Sequence, residues 1–194
     1  METQQEQIKS FLKKSGISNE EDIQLFLENG KTEQISKSDF LIRENQICRK
    51  LYFVHQGAIS VFILEDGNEH IKDFSLHNKF ITAYTSFQTE KPSAIYLRAE
   101  QNCELTSWSK PFLDSLIKNN IRWTAFAKNM SDYLFMRKEK REISLLSDNA
   151  ETRYLDFLKE YPQAFQMFPQ YLIASYLGIR PQSLSRIRKV LGTK

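Results

Sequence analysis

The sequence predicts an α+β protein that consists of an antiparallel β-roll, a long helix and a C-terminal helix-turn-helix. Three observations support this fold class. Short apolar runs separated by turn signals fill residues 38–110, and apolar side chains recur at helical spacing over residues 112–147. Residues 169–191 then resemble two short helices joined at Gly178. The predicted units are the β-roll with its N-terminal helices in 1–112, the long helix in 113–147 and the helix-turn-helix in 148–194.

Composition excludes several classes of protein. The chain has 194 residues, 41% of them hydrophobic, which is enough for a real core and argues against a disordered chain. Cys48 and Cys103 are far apart, without a CxxC pair or clustered histidines, so we expect reduced thiols, no metal and no cofactor. We find no paired nucleophile and base and no glycine-rich phosphate loop, so no enzymatic activity is expected. The polar N-terminus and the lack of a long apolar run predict a cytoplasmic protein without a membrane partner.

The N-terminal 30 residues indicate short packing helices. Ile8, Phe11 and Leu12 form one small stripe, Asn19 is a typical helix start and Gly30 a typical stop.

Residues 38–110 predict a rolled or closed antiparallel sheet of seven or eight short strands. The Asp66-Gly67 pair between two strand-like runs is a strong hairpin signal. The runs that carry the prediction are residues 40–42, 51–54, 58–64, 69–74, 94–99 and 103–108.

The predicted long helix carries a seam typical of coiled coils. Its members alternate by three and four residues and are Trp123, Phe126, Met130 and Tyr133. The charged run from Arg137 to Glu142 follows where the seam should continue, and its simplest interpretation is a solvated helix face.

The second short helix near the C-terminus is two-faced. Leu184, Ile187 and Leu191 form one apolar stripe. The opposite side carries polar groups able to contact DNA bases or phosphates, and no Asp or Glu occurs between Tyr161 and Lys194. A solvated basic helix on a small core is the alternative. The polar positions are Gln182, Ser183, Ser185, Arg186, Arg188 and Lys189.

Two segments resemble the Crp/Fnr family of bacterial transcription regulators. The segment IASYLGIRPQSLSRIRKVL is similar to the DNA-binding helices of that family, and LYFVHQGAISVFILEDGNEHIKDF is similar to its cyclic-nucleotide-binding β-roll. The family's base-reading positions fall on Pro181, Gln182 and Arg186. Gln182 replaces the usual Glu, and Arg180 stands where the family has a Ser or Thr helix cap. Lys194 ends the sequence without room for the wing hairpin of many members.

The resemblance implies a homodimer that binds a two-fold symmetric operator in double-stranded DNA, with RNA polymerase as a further partner. The long helix would pair with its twin, with the contact centred on residues 123–134. We expect Gln182 and Arg186 to read base edges. Phosphate contacts are expected from Ser183, Ser185, Arg188 and Lys189.

The phosphate-binding cassette of the family is degenerate in this sequence. Ile81-Thr82 stands where the family has Gly-Glu, and Pro92 stands where it has Arg. Losing that guanidinium removes the charge partner of a cyclic phosphate, so control by cAMP or cGMP is not expected. An unidentified small-molecule effector is an alternative, as is a sensor whose DNA binding is vestigial. The candidate positions for an effector pocket are Thr82, Tyr84, Ser93 and Tyr96, although plain core is the simpler interpretation of the aromatic members.

Overall fold

Two four-stranded antiparallel sheets form the roll in the computed structural model, which describes residues 2–192. The predicted fold class is confirmed. Met1, Thr193 and Lys194, which the predicted first and last units include, lie outside the described residues. The strands are β1 (Lys31–Ile35), β2 (Phe40–Ile42), β3 (Lys50–Gln56), β4 (Ile59–Glu65), β5 (Asn68–Ser75), β6 (Lys79–Ile81), β7 (Tyr96–Ala99) and β8 (Cys103–Ser109).

Helices precede the roll, interrupt it once and follow it. Within residues 2–192, none of them is both long and apolar enough to cross a membrane. The helices are α1 (Gln4–Lys14), α2 (Glu20–Glu28), α3 (Tyr84–Thr89), α4 (Lys110–Asn119), α5 (Ile121–Ser147), α6 (Ala150–Glu160), α7 (Ala164–Met167), α8 (Gln170–Leu177) and α9 (Pro181–Val190).

Strand order separates the two sheets into a β1-β8-β3-β6 sheet and a β2-β7-β4-β5 sheet. The β4–β5 hairpin turns at Asp66 and Gly67, whose φ angles of 50° and 76° are the positive values that a two-residue hairpin turn requires. Strand β5 is the edge of its sheet, so the roll leaves one row of its backbone groups unpaired within the sheet.

The core of the roll, here called the roll core, fills the space between the sheets and beneath the N-terminal helices. Phe26 of α2 stacks on Trp108 of β8 at 4.3 Å between ring centroids, and the Trp108 indole donates to the Phe26 carbonyl. Helices α1 and α2 are therefore part of the core and not an appendage. Its largest members are Phe26, Phe53, Trp108 and Trp123.

The predicted single helix over residues 112–147 is broken, which corrects that expectation. Asn120 has φ −143° and ψ 115°, an extended conformation that separates α4 from α5. Its side-chain oxygen accepts a hydrogen bond from the Arg122 backbone N–H at 3.0 Å. Asparagine competes with helical backbone bonds in this way and favours caps over helix interiors, so the break starts α5 anew.

A second core joins the roll to the C-terminal helices. Helices α6, α7, α8 and α9 pack against the outer face of the β2-β7-β4-β5 sheet, mainly at β5. We call this cluster the interdomain core. Its large members are Phe62, Ile71, Phe74, Tyr154, Phe157, Tyr161, Phe168, Ile173 and Tyr176.

Candidate nucleic-acid interface

Helices α8 and α9 form a helix-turn-helix whose turn follows from its glycine. Gly178 has φ 66° and ends α8, while its N–H bonds to the Ala174 and Ser175 carbonyls. Pro181 occupies the first turn of α9, where the missing N–H costs no hydrogen bond. The preceding Arg180 supplies no side-chain cap. The recognition helix is thus oriented by the glycine turn and by packing.

One face of α9 is anchored in the interdomain core. Leu184 is fully buried, and Ile187 and Leu191 pack partly buried against the same cluster. This is the apolar stripe that the sequence predicts, and it leaves the other face of α9 directed away from the protein.

Three predicted DNA-contacting side chains lie together on that free face. Gln182, Arg186 and Lys189 are spaced by four and three residues, which places them in one line along a helix. All three are exposed, and within residues 2–192 their side chains form no hydrogen bond or ion pair. An amide, a guanidinium and an ammonium are therefore available to an external partner.

The other three side chains that were predicted to contact DNA lie outside this line. Ser183 is half-buried on one flank of α9. Ser185 is exposed, but its hydroxyl accepts from Gln170 Nε2 at 2.8 Å and donates to the Pro181 carbonyl at 3.1 Å. Arg188 is half-buried, with its guanidinium 4.2 Å from the Phe165 ring centroid and Nη1 3.3 Å from Gln170 Oε1. The expectation that Ser185 and Arg188 are free for phosphates is thus corrected, because both already bind within the protein.

A charged network that the sequence did not reveal ties the helix-turn-helix unit to the roll. Both oxygens of Asp73 in β5 accept from the Arg137 guanidinium, at 2.6 and 2.7 Å. Arg137 also donates to Glu160 at 2.7 Å, and the Tyr161 hydroxyl donates to Asp73 at 3.0 Å. Burial and then the negative charge of Asp73 raise the pKa of Tyr161, which keeps this hydroxyl a donor. Arg137 therefore does not belong to a solvated helix face.

The edge of β5 is covered by side chains from α5 and α8. Ser175 accepts from the Ile71 N–H at 3.0 Å and donates to the Glu69 carbonyl at 2.9 Å. Arg141 donates to the Tyr176 carbonyl at 2.8 Å and lies 3.7 Å from the Tyr176 ring centroid. Strand β5 would otherwise expose its backbone groups at the sheet edge. Instead, the helix-turn-helix unit packs against this edge.

Half of the predicted dimer seam belongs to the protomer itself, which corrects that prediction. Trp123 is 2% exposed and Phe126 is 9% exposed, and both are members of the roll core. Met130 packs partly buried against the same core, and Tyr133 is exposed. Helical periodicity identified a real apolar face, but the protomer's own roll covers most of it.

The opposite face of α5 carries a different apolar stripe. At about 100° per residue, its four residues fall within roughly a third of the helix circumference, on the side away from the roll core. Their exposure ranges from 57% to 83%. Large side chains this exposed on one helix face mark a surface for association. The stripe consists of Phe135, Met136, Ile143 and Leu146.

The four predicted effector-pocket residues do not form one site. Tyr96 stacks on Phe62 at 5.0 Å on the outer face of its sheet, whereas its neighbour Leu97 points into the roll core. Thr82 donates to the Lys50 carbonyl and Ser93 donates to the Ile95 carbonyl, both at 2.9 Å. The remaining Tyr84 lies 2.9 Å from Ser131 of α5 between hydroxyl oxygens. The expected grouping is therefore wrong for Tyr96, because adjacent strand residues face opposite ways.

Comparison with known sequences identifies the roll. Residues 32–120 match the family model described as cyclic nucleotide-binding domain. No curated protein sequence is significantly similar to the chain.

Solved structures match the chain well beyond the roll. FixK2 from Bradyrhizobium japonicum superposes with a TM-score of 0.75 at 19% identity, covering 84% of this chain and 85% of that one. The c-di-GMP-responsive regulator CLP of Xanthomonas campestris gives 0.67 at 17% identity over 90% of this chain and 92% of its own. A Crp/Fnr-family regulator from Eubacterium rectale gives 0.68 at 16% identity, with 90% and 84% covered. Residues 32–120 are thus similar to cyclic nucleotide-binding domains, and the chain as a whole has the fold of the Crp/Fnr transcription regulators.

Proposed function

We propose that this protein is a sequence-specific DNA-binding transcription regulator that acts as a homodimer. The observation that carries the proposal is the free face of α9, where Gln182, Arg186 and Lys189 are exposed and have no bonding partner within residues 2–192. A second helix of a helix-turn-helix reads DNA with such a face when it enters the major groove.

The side chains of this face fit the chemistry of base and phosphate contacts. Arg186 offers a planar fork that matches the O6 and N7 atoms of guanine, and the Gln182 amide matches the N6 and N7 atoms of adenine. Lys189 lies nearer the helix C-terminus, where a compact ammonium suits a phosphate oxygen. The proposed division is two base readers and one phosphate contact on α9.

The exposed stripe of α5 supports the dimer. Phe135, Met136, Ile143 and Leu146 present a long apolar surface that a twin helix would cover. A two-fold axis along this stripe would relate two recognition helices, which must lie about 34–36 Å apart to reach successive major-groove faces. We therefore assign the dimer contact to this stripe in place of the buried seam.

The cassette supports a regulator that does not respond to cyclic nucleotides. Thr82 and Ser93 stand at cassette positions and are bonded to backbone carbonyls of the roll. Ser86 of α3 likewise donates to the Lys91 carbonyl at 2.6 Å and accepts from the Cys48 N–H. With the family's Glu and Arg replaced by Thr82 and Pro92, neither of these two positions carries a charge for a cyclic nucleotide.

The test is selection of DNA from a random duplex pool by the purified protein without added ligand, read by sequencing. A two-fold symmetric consensus is the expected result. The matched control is the Gln182→Ala, Arg186→Ala double variant, which keeps the fold and should lose the consensus. Enrichment of the same sequences by both proteins, or of none by either, would overturn the proposal.

A further inference from the structure

A single side-chain amide at the start of α8 holds two side chains of the recognition helix. Gln170 Nε2 donates to Ser185 Oγ at 2.8 Å, and Gln170 Oε1 accepts from Arg188 Nη1 at 3.3 Å. Ser185 and Arg188 are three residues apart and therefore lie on the same flank of α9. Both hydrogen-bonding ends of the amide are thus directed to one helix.

The Arg188 guanidinium also contacts an aromatic ring of α7. It lies 4.2 Å from the Phe165 ring centroid, in range of a cation–π contact. Phe165 in turn packs edge-on against Tyr154 and Phe157 of α6, with centroid distances of 6.0 and 6.4 Å. The contacts therefore run from α6 through α7 to α9, independently of the glycine turn.

We propose that Gln170, Ser185 and Arg188 form a clamp that fixes the rotation of α9 about its own axis, with Gln170 as a positioning residue for base recognition. The inference rests on the proposed DNA-binding function and deepens it, because it separates the residues of α9 that read DNA from those that aim it.

The size of the effect follows from helix geometry. Side-chain tips lie about 5–6 Å from the helix axis, so a rotation of roughly 10° moves them by about 1 Å. A bidentate contact from Arg186 to a guanine edge tolerates only a few tenths of an ångström, judged by the narrow spread of hydrogen-bond distances. Loosening the clamp therefore lowers discrimination between bases more than it lowers general attraction to DNA.

The first experiment compares two neighbouring cations by the salt dependence of DNA affinity. A Lys189→Ala variant, which removes a free ammonium from each protomer, should reduce the slope of log K against log salt by about 0.9 per protomer, or about 1.8 for the proposed dimer. Arg188→Ala should leave the slope at the wild-type value, because Arg188 is engaged by Gln170 and Phe165. An equal reduction for Arg188→Ala would make it a phosphate contact and would overturn the clamp.

The second experiment measures base discrimination over a panel of operators with single base changes. Gln170→Ala should reduce the preference for the best operator by about tenfold, or ~1.4 kcal/mol. Gln170→Glu keeps an acceptor oxygen for Arg188, and the Ser185 hydroxyl can turn from the Pro181 carbonyl to donate to the second carboxylate oxygen. This variant should therefore retain the preference even if its charge weakens binding to every duplex. Gln163→Ala, a change at an exposed position without a side-chain cap bond, is the matched control. Uniform weakening by Gln170→Ala would instead indicate a direct phosphate contact.

A third measurement needs no DNA and keeps failure of the clamp distinct from failure of the proposed function. Urea unfolding of Gln170→Ala, Arg188→Ala and the double variant forms a double-mutant cycle. The clamp predicts that the double variant loses less stability than the sum of the single losses. Strict additivity would overturn the clamp whether or not the protein binds DNA.

Discussion

In the proposed function, Arg186 is the side chain on which we expect base recognition to depend most directly. Its guanidinium is exposed and has no partner within residues 2–192, so its replacement should leave folding unchanged. Arg186→Ala is expected to weaken operator binding by about 1–3 kcal/mol for each half-site and to relax the base preference at one position of each half-site. Fluorescence anisotropy with operators that vary at single positions measures both effects. Equal weakening for every sequence would contradict a base-reading role.

His55 makes stability depend on pH. It is 5% exposed, with Nδ1 2.7 Å from Gln7 Oε1 and Nε2 2.7 Å from Thr106 Oγ1, an arrangement that suits the neutral imidazole. Burial lowers the pKa of His55, opposed by the charge of Glu104. Because the folded pKa lies below the unfolded value of about 6.5, the unfolded chain takes up the proton first as the pH falls.

Acidification therefore lowers the folding stability through the protonation of His55. The contribution of neutral His55 is complete above about pH 6.5 and declines as the pH falls from there toward the lower folded pKa. Urea unfolding at about pH 7.5 and about pH 5.5, compared between wild type and His55→Gln, isolates this contribution from that of the carboxylates. A wild-type profile that parallels the variant across this range would exclude His55 as the cause.

At the scale of elements, one face of α5 packs on its own protomer, and the opposite face carries the exposed stripe that we propose as the dimer contact. Met136→Glu and Ile143→Glu place charges in the exposed stripe, where burial of an unpaired carboxylate is unfavourable. Each variant should be monomeric in sedimentation while keeping the wild-type circular dichroism spectrum. Lys138→Glu, a charge change at an exposed position of the same helix about 110° around the axis from the centre of the stripe, serves as the control. A dimer that survives both stripe substitutions would place the interface elsewhere.

Trp123 lies on the other face of α5, and its replacement tests whether that face belongs to the roll core. Its ring stacks on Phe26 at 4.9 Å inside the roll core, so Trp123→Ala leaves a large cavity. The expected loss is about 3–5 kcal/mol in the free energy of unfolding, measured by urea denaturation. A loss below about 1 kcal/mol, combined with dissociation of the dimer, would instead place Trp123 in the dimer contact that the sequence periodicity suggested.

Local signals predicted most elements but could not assign their partners. The β4–β5 hairpin, the Gly178 turn and the apolar stripe of α9 each depend on residues close in sequence. Strand β1 escaped prediction because Lys31–Ile35 is largely polar and its neighbour in the sheet is β8, far along the chain. Asp73 and Arg137 are separated by 64 residues, so no spacing rule could join them. The same holds for Gln170 and the two side chains it binds, since periodicity shows a polar face without showing what it contacts.

At the scale of the whole molecule, the roll and the helix-turn-helix unit share one core. Phe74 of β5 contacts Phe168 and Tyr176 at centroid distances of 4.1 and 5.3 Å, across the boundary between the two units. A DNA-binding unit on a flexible tether would expose these rings. Since neither unit can bury them alone, we expect the roll and the helix-turn-helix to unfold in one cooperative transition.

Replacing Asp73 should loosen this coupling without changing the free face of α9. Asp73→Asn keeps the size of the side chain but removes the charge that faces Arg137, which leaves a half-buried guanidinium with only Glu160 as an anionic partner. Stability should fall by roughly 1.5–3 kcal/mol, the range for hydrogen bonds to charged groups. Glu65→Gln, at the exposed end of β4, is a matched loss of charge elsewhere on the same hairpin.

The two tryptophans allow the coupling itself to be measured. Trp108 and Trp123 both lie in the roll core, so their fluorescence follows the roll, while far-ultraviolet circular dichroism also follows the C-terminal helices. In the wild type the two urea transitions should coincide. In Asp73→Asn the circular dichroism transition should begin at lower urea than the fluorescence transition, because the C-terminal helices lose their charged link to the roll. A parallel shift of both transitions would show that the apolar contacts alone keep the two units cooperative.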